Sequence, residues 1–473
     1  MHALFNLVTL PFIGEVNLSG GLLILFFVCL LCVVGFEFVN GFHDTANAVA
    51  TVIYTKALKP MVAVPWSGTW NFLGVFTGGV AVAMGILKLV PLNEMMALPT
   101  SVGASMVLAV LLASIIWNLG TWYLGIPCSS SHTLIGSMIG AGLGFTMFYK
   151  GSVNWDKAGE IGMSLILSPL FGFGATVLLM LFLRHIVRSP ILFHAPTGEN
   201  DRPPIIIRLL LITTCTLVSF FHGSNDGQKG VGLLMLILIA FLPAKFAVDQ
   251  GIPDGKILAS LTTVEQAIPH MSTVDEKGKT QIADLAGAVA TVKNTVAGGD
   301  TRAETHVFKF RKQLQAVAKG IKTVMSDKAV AIPAEDRAAL KEVPGHLTKT
   351  TEYAPVWVIA TISLSLGIGT MIGWKRIVLT IGEKIGKEHL NYAQGASAEI
   401  VAASTIGLST GFGLPVSTTH VLSSGIAGAM VASNGTKNLN PATLRAIAMA
   451  WVLTLPVSIV LSLGLFLIFH LFV

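Results

Sequence analysis

Long apolar runs, broken at a few recurring places by polar residues, dominate this chain. They cover about residues 22–54, 64–90, 103–125, 128–148, 162–187, 205–243, 355–374, 395–412, 415–434 and 444–472. Most approach or exceed the roughly 20 residues that cross a bilayer as a helix. The pattern predicts an all-α polytopic membrane protein of about ten spans, in two sets of five. Five is odd, so the second set enters the membrane from the opposite side, and the prediction is two inverted repeats. Residues 1–190 form the first repeat, and 191–244 a connector with the first span of the second. Residues 353–473 complete the second repeat.

The stretch 245–352 is different. It carries 15 Lys/Arg and 13 Asp/Glu, half of the chain's charged residues. Its apolar positions (Ile282, Leu285, Ala286 and Val289; Phe308, Leu314 and Val317) recur at helical spacing. An extramembrane insertion of amphipathic helices is expected. Residues 1–20 read as an interfacial lead-in, without the basic start of a cleavable signal peptide.

Composition sharpens the class. The chain is 53% hydrophobic and 12% charged, against roughly 25% charged residues in soluble proteins. The formal charge of +6 therefore bears on orientation and not on nucleic acid. With the N-terminus outside, Lys56, Lys59, Arg184, Arg188, Arg202, Arg208, Lys375, Arg376, Lys384, Lys387, Lys437 and Arg445 fall inside. Only Lys88, Lys150 and Lys157 fall in short outer loops. That bias places both termini and 245–352 outside; a double crossing within 205–243 would move the insertion to the cytoplasm. Cys29 and Cys32 form a C-x-x-C inside an apolar run, which reads as core packing.

The chemistry lies in two repeated motifs. Gly41-Phe-His-Asp-Thr-Ala-Asn47 returns as Gly223-Ser-Asn-Asp-Gly-Gln-Lys229, each at the end of an apolar run. A carboxylate at membrane depth needs a partner or a cargo to offset its cost. Each motif is expected to break its helix, since irregular backbone is tolerated there where it lines a cavity. The second motif, Pro127-Cys-Ser-Ser-Ser-His132, returns as Pro415-Val-Ser-Thr-Thr-His420, each after a glycine turn. Pro followed by Ser or Thr marks a helix N-terminus, whose free N–H groups and dipole favour an anion. Ser129, Ser130, Ser131, Ser417, Thr418 and Thr419 are the candidate anion ligands. Asp44, Asn47, Asn225, Asp226, Gln228 and Lys229 are the candidates for a co-transported cation or proton. His43, Asn118, His132, Glu399 and His420 support them. No residue set is a firm metal site, although Asp44 and Asp226 are candidates.

These residues resemble the inorganic phosphate transporter (Pit) family and its bacterial low-affinity permeases. The resemblance rests on Asn40–Ala48, Trp117-Asn118 ahead of Pro127–His132, His222–Lys229, and Glu399 ahead of Pro415–His420. It implies phosphate uptake across the bacterial cytoplasmic (inner) membrane, driven by a proton or sodium gradient. It also implies a cargo that includes a neutral complex of phosphate with a divalent metal such as magnesium. His43 and Lys229 stand where the family often has Asn, and Asn71 where sodium-coupled members tend to have Glu. A lysine beside Asp226 supplies the charge of one sodium, which favours proton symport, with Asp44 as the expected proton carrier. No resident cofactor is expected; the lipid bilayer is the surrounding partner, and a homodimer stays open. Alternatives are sodium-coupled phosphate transport, transport of sulfate or another oxyanion, a passive channel, and an intramembrane Ser-His hydrolase. The last lacks a Gly-x-Ser-x-Gly elbow.

Overall fold

The computed structural model describes residues 5–95, 98–196, 198, 201–299, 301–303 and 306–472. The described residues begin with an antiparallel hairpin, β1 (Phe5–Leu10) and β2 (Gly14–Ser19), within the stretch read as an interfacial lead-in. Phe12 and Gly14 both take positive φ in its turn (63° and 77°), the geometry that reverses a short hairpin. Two compact units follow from the chain's contacts. One combines the residues up to Ile237 with Pro355 onward; the other is Leu238–Ala354.

The first unit holds α1 (Gly20–Tyr54), the bent pair α2 (Pro60–Thr77) and α3 (Ala81–Leu87), and the single turn α4 (Leu92–Met95). It continues with α5 (Thr100–Tyr123), α6 (Ser130–Phe148), α7 (Trp155–Ile186) and α8 (Ile205–Phe241). Among the described residues, α1, α5, α7, α8 and α18 (Pro441–His470) are long and apolar enough to cross a membrane. The α2–α3 pair passes the same test as one span bent by 72°. Large side chains such as Leu170, Leu178 and Phe182 on α7, and Val452 and Val460 on α18, face outward. The polar residues are inside, as a lipid solvent requires.

The motifs do not break their helices. α1 runs for 35 residues and α8 for 37 without interruption, each over 50 Å at ~1.5 Å per residue. The motif glycines serve close approach instead. A Cβ on Gly41 would lie 2.6 Å from the Leu366 carbonyl oxygen on α14 (Val356–Met371), and one on Gly223 would overlap the Asn71 carbonyl oxygen on α2. The continuous α8 also makes 205–241 a single helical passage.

The backbone breaks lie elsewhere, before α6 and before α17 (Thr418–Asn434). α5 and α16 (Tyr392–Gly411) each end near a glycine in the left-handed region, Gly125 (φ 67°) and Gly413 (φ 68°). There a side chain would meet its own backbone. The chain then crosses four extended residues and enters the next helix. α6 packs on α18 and α17 on α7; α5 packs on α6 and α16 on α17. α14, followed by the short α15 (Lys375–Leu379), packs on α1 and α2.

The second unit contains the turn α9 (Pro243–Phe246) and a ring of four helices: α10 (Asp254–Ala267), α11 (Glu276–Ala297), α12 (Val307–Ser326) and α13 (Ala334–Thr351). Its core is Leu261, Leu285, Val289, Phe310, Leu314, Val317, Leu340 and Leu347. Phe310, not the half-buried Phe308, holds the position expected from the spacing. Arg311 is buried beneath it and donates to the Ala247 carbonyl oxygen (2.5 Å). Burial pushes its guanidinium down to about 10.

Candidate functional site

α1 and α8 run antiparallel through the centre of the first unit. Glu37 lies against Gly230, Asp44 against His222 and Ser130-bridged Asp226, and Thr51 and Thr214 both donate to Glu399. Rising residue numbers on one helix thus meet falling numbers on the other. The middle of this register places the two motif carboxylates side by side.

One hydroxyl joins them: Ser130 Oγ lies 3.2 Å from Asp44 Oδ2 and 3.2 Å from Asp226 Oδ2. Asp44 Oδ1 accepts from Thr419 Oγ1 (2.6 Å), Asn47 Nδ2 (2.7 Å) and Thr418 Oγ1 (3.5 Å). Asp226 Oδ2 pairs with Lys229 Nζ at 2.7 Å, and the same ammonium donates to Ser131 Oγ at 2.5 Å. All are buried. Asp44 is therefore held by Asn47, three residues on in α1, and by Thr419 of α17; Asp226 is held by Lys229, three residues on in α8, whose ammonium also reaches Ser131 of α6.

His222 lies over both carboxylates. Its Nε2 is 3.5 Å from Asp44 Oδ2 and 3.7 Å from Asp226 Oδ2, and its Nδ1 is 2.9 Å from Asn71 Oδ1. Nδ1 makes the ring's hydrogen bond, to Asn71, while Nε2 faces the two carboxylates without a hydrogen bond among the described residues. With the imidazole protonated, two carboxylates stand against one ammonium and one imidazolium, and the cluster sums to zero. Ligand-capable atoms of Asp44, His222 and Asp226 come within 4.8 Å of one another. In this arrangement His222 and Lys229 supply the positive charge at that centre.

The two helix N-termini reach the cluster from opposite halves. Ser129 and Ser417 cap them, each accepting from the N–H three residues on, His132 and His420 (3.2 Å in both). That leaves the N–H groups of Ser130, Ser131, Thr418 and Thr419 without an intrahelical acceptor. The His132 and His420 rings lie tilted against each other with centroids 4.6 Å apart, so the two half-helices meet.

A model of the phosphate transporter family matches residues 40–462 of this chain. This chain belongs to the phosphate transporter family. It is 41% identical to the low-affinity inorganic phosphate transporter PitA of Escherichia coli, over 95% of this chain and 97% of that one. It is 30% identical to a probable low-affinity inorganic phosphate transporter of Bacillus subtilis, over 93% and 96% of the two chains. A solved sodium-dependent phosphate transporter shares the fold, with a TM-score of 0.55 and 18% identity, covering 95% of this chain and all of that one. The chain is a membrane transporter, and the Ser-His hydrolase alternative falls with that membership.

Within this family member the sequence-selected residues divide into three groups. Asp44, Asn47, Asp226, Lys229, Ser130, Ser131, Thr418 and Thr419 converge. Ser129, Ser417, His132 and His420 build the half-helix ends around them. Asn225, Gln228, His43 and Asn118 do not reach the carboxylates as ligands. Asn225 accepts from Val416 N (3.2 Å) and donates to Leu414 O (3.1 Å), holding the extended strand before α17. Gln228 accepts from Val82 N (2.8 Å) and donates to Gly78 O (2.7 Å), satisfying the backbone freed at the α2–α3 bend. His43 Nε2 meets Asn118 O at 2.6 Å beside the first half-helix. Glu399 stands apart, held by Thr51 and Thr214. Sequence reasoning gave no role to His222. Its place four residues before Asp226, one turn away on the same face, was the available signal.

Proposed function

We propose that this chain imports inorganic phosphate across the bacterial cytoplasmic membrane by proton symport, with magnesium–phosphate among its cargoes. The observation that carries the site is the meeting of two capped half-helices on the Asp44–Asp226 pair. Phosphate, as mono- or dianion, needs many donors and some positive charge. The N–H groups of Ser130, Ser131, Thr418 and Thr419 supply donors aimed by two helix dipoles. Lys229 and His222 supply charge. The hydroxyls of Ser130, Thr418 and Thr419 point at carboxylates and rotate about one bond to meet a phosphate oxygen.

Lys229 supports protons over sodium. Its ammonium fills the space between Asp226 and Ser131, where a second cation would meet a like charge. The matched use of Asp44 with Asn47 and Asp226 with Lys229, and the mirrored seats of Gly41 on α14 and Gly223 on α2, support two inverted repeats. Alternating access then follows from one repeat moving against the other. The charge bias of the short loops supports an outer N-terminus.

The test is labelled-phosphate uptake into proteoliposomes under an imposed proton or sodium gradient, with and without magnesium. Uptake driven by protons alone and raised by magnesium is expected. Uptake driven only by sodium would overturn the coupling reading. Inhibition by sulfate that grows at low pH would favour a general oxyanion carrier.

A further inference from the structure

Glu37 is a carboxylate that the cluster does not use. It lies seven residues before Asp44 on α1, about 10 Å along the helix, and is 0% exposed. α8 covers it at Gly230, where a Cβ would overlap its carboxyl group. Its Oε2 accepts weakly from Asn40 Nδ2 at 3.3 Å. Among the described residues its Oε1 has no hydrogen-bond partner, and neither has the Asn40 side-chain oxygen beside it.

The groups facing it are few. On α8 they are Lys229, Asp226 and His222. Among the other helices that pack on α1, α2, α5 and α14 carry no carboxylate, amine, guanidinium or imidazole, while α15, α16 and α17 bring Lys375, Arg376, Glu399 and His420; of these, Glu399 is held by Thr51, farther along α1. β2, which meets the start of α1, carries only the exposed Glu15. Lys229 and His222 are already matched by Asp226 and Asp44. An ionised Glu37 would be a fifth charge without a counterion in a dry interior, a costly state.

One proton removes both faults. A hydrogen on Oε1 can donate to the Asn40 oxygen while Asn40 Nδ2 donates to Oε2. The acid and the amide then close a two-bond ring, and both orphaned oxygens are satisfied. Asp44 offers the opposite environment, because Thr419, Asn47, Ser130 and Thr418 all donate to it.

We propose that Glu37, not Asp44, carries the co-transported proton. This rests on the proton-symport reading above. Glu37 takes a proton from water on the outer side and holds it through reorientation with Asn40. It gives the proton up to inner water when α8 slides at Gly230 and brings the Lys229 ammonium within reach of the carboxylate.

The test uses the purified full chain in proteoliposomes and compares two modes. Phosphate–phosphate exchange at equal pH needs no net proton movement. Accumulation under a gradient of one pH unit reaches about tenfold for one coupled proton. Glu37→Gln keeps the shape and a donor toward Asn40. It is expected to retain exchange and lose accumulation. Glu37→Gln that accumulates phosphate like the natural protein would overturn the assignment to Glu37 alone. A natural protein that does not respond to the pH gradient would overturn the symport reading and this one with it. If Glu37→Gln fails to reach the membrane, Asn40→Leu removes the other half of the ring. The same split between exchange and accumulation supports the proposal, and undiminished accumulation overturns it.

Discussion

Lys229 has no freedom to be a bystander. Its ammonium is buried, with Asp226 at 2.7 Å and Ser131 at 2.5 Å. Breaking a buried ion pair by removing one partner costs about 3–5 kcal/mol, because the other charge stays buried. Lys229→Asn is therefore expected to lower the melting temperature and phosphate uptake together, and added sodium is expected to restore part of both. A thermal-shift series with and without sodium, beside uptake, checks this. Unchanged melting and uptake would make the pair idle. Asp44, Asp226 and Lys229 were legible in the sequence because the motif that holds them occurs twice, each time at the end of an apolar run. His222 and Glu37 were not, for different reasons. An imidazole gains its role from what an antiparallel helix brings to it. Glu37 lies a full two turns from the motif that draws the eye, and its partner Asn40 is neutral.

At the scale of elements, the sequence located the half-helix starts well and the helix breaks poorly. Proline, hydroxyls and a preceding glycine act within one turn, so a helix start at each motif could be placed from local rules, although Ser129 and Ser417, read as anion ligands, serve as its caps. Gly41 and Gly223 carry no such local instruction. They look like breaks, but a neighbouring helix backbone needs the space, and that neighbour is far away in sequence. The caps also give a measurable consequence. Ser417→Ala removes the acceptor for His420 N–H and is expected to cost about 1 kcal/mol. It should lower the melting temperature slightly and raise the KM for phosphate while holding the maximal rate. An unchanged KM would separate the orientation of α17 from phosphate binding.

At the scale of the molecule, the hydropathy pattern gave the helical membrane class and about ten spans, whereas the described residues hold five helices long and apolar enough to cross, or seven with each bent pair as one span. α6, α16 and α17 are nearly enclosed by other helices, so they can be more polar than a lipid-facing span and escape a hydropathy test. The Leu238–Ala354 unit was legible as amphipathic helices, while its closed ring of four depends on contacts across about a hundred residues. Residues 243–354 expressed alone are expected to be helical by circular dichroism and to melt in one cooperative step. Gradual melting would show that the ring needs the rest of the chain.

The zero charge of the Asp44–Asp226–His222–Lys229 cluster reaches beyond chemistry to electrical work. Moving one uncompensated charge through a membrane potential involves about 2.3 kcal/mol per 100 mV. A cluster that sums to zero does none of that work when it is carried across the field. The voltage dependence of a turnover cycle is then set by the cargo and by Glu37, which is neutral while it holds the proton and negative once it has given the proton up.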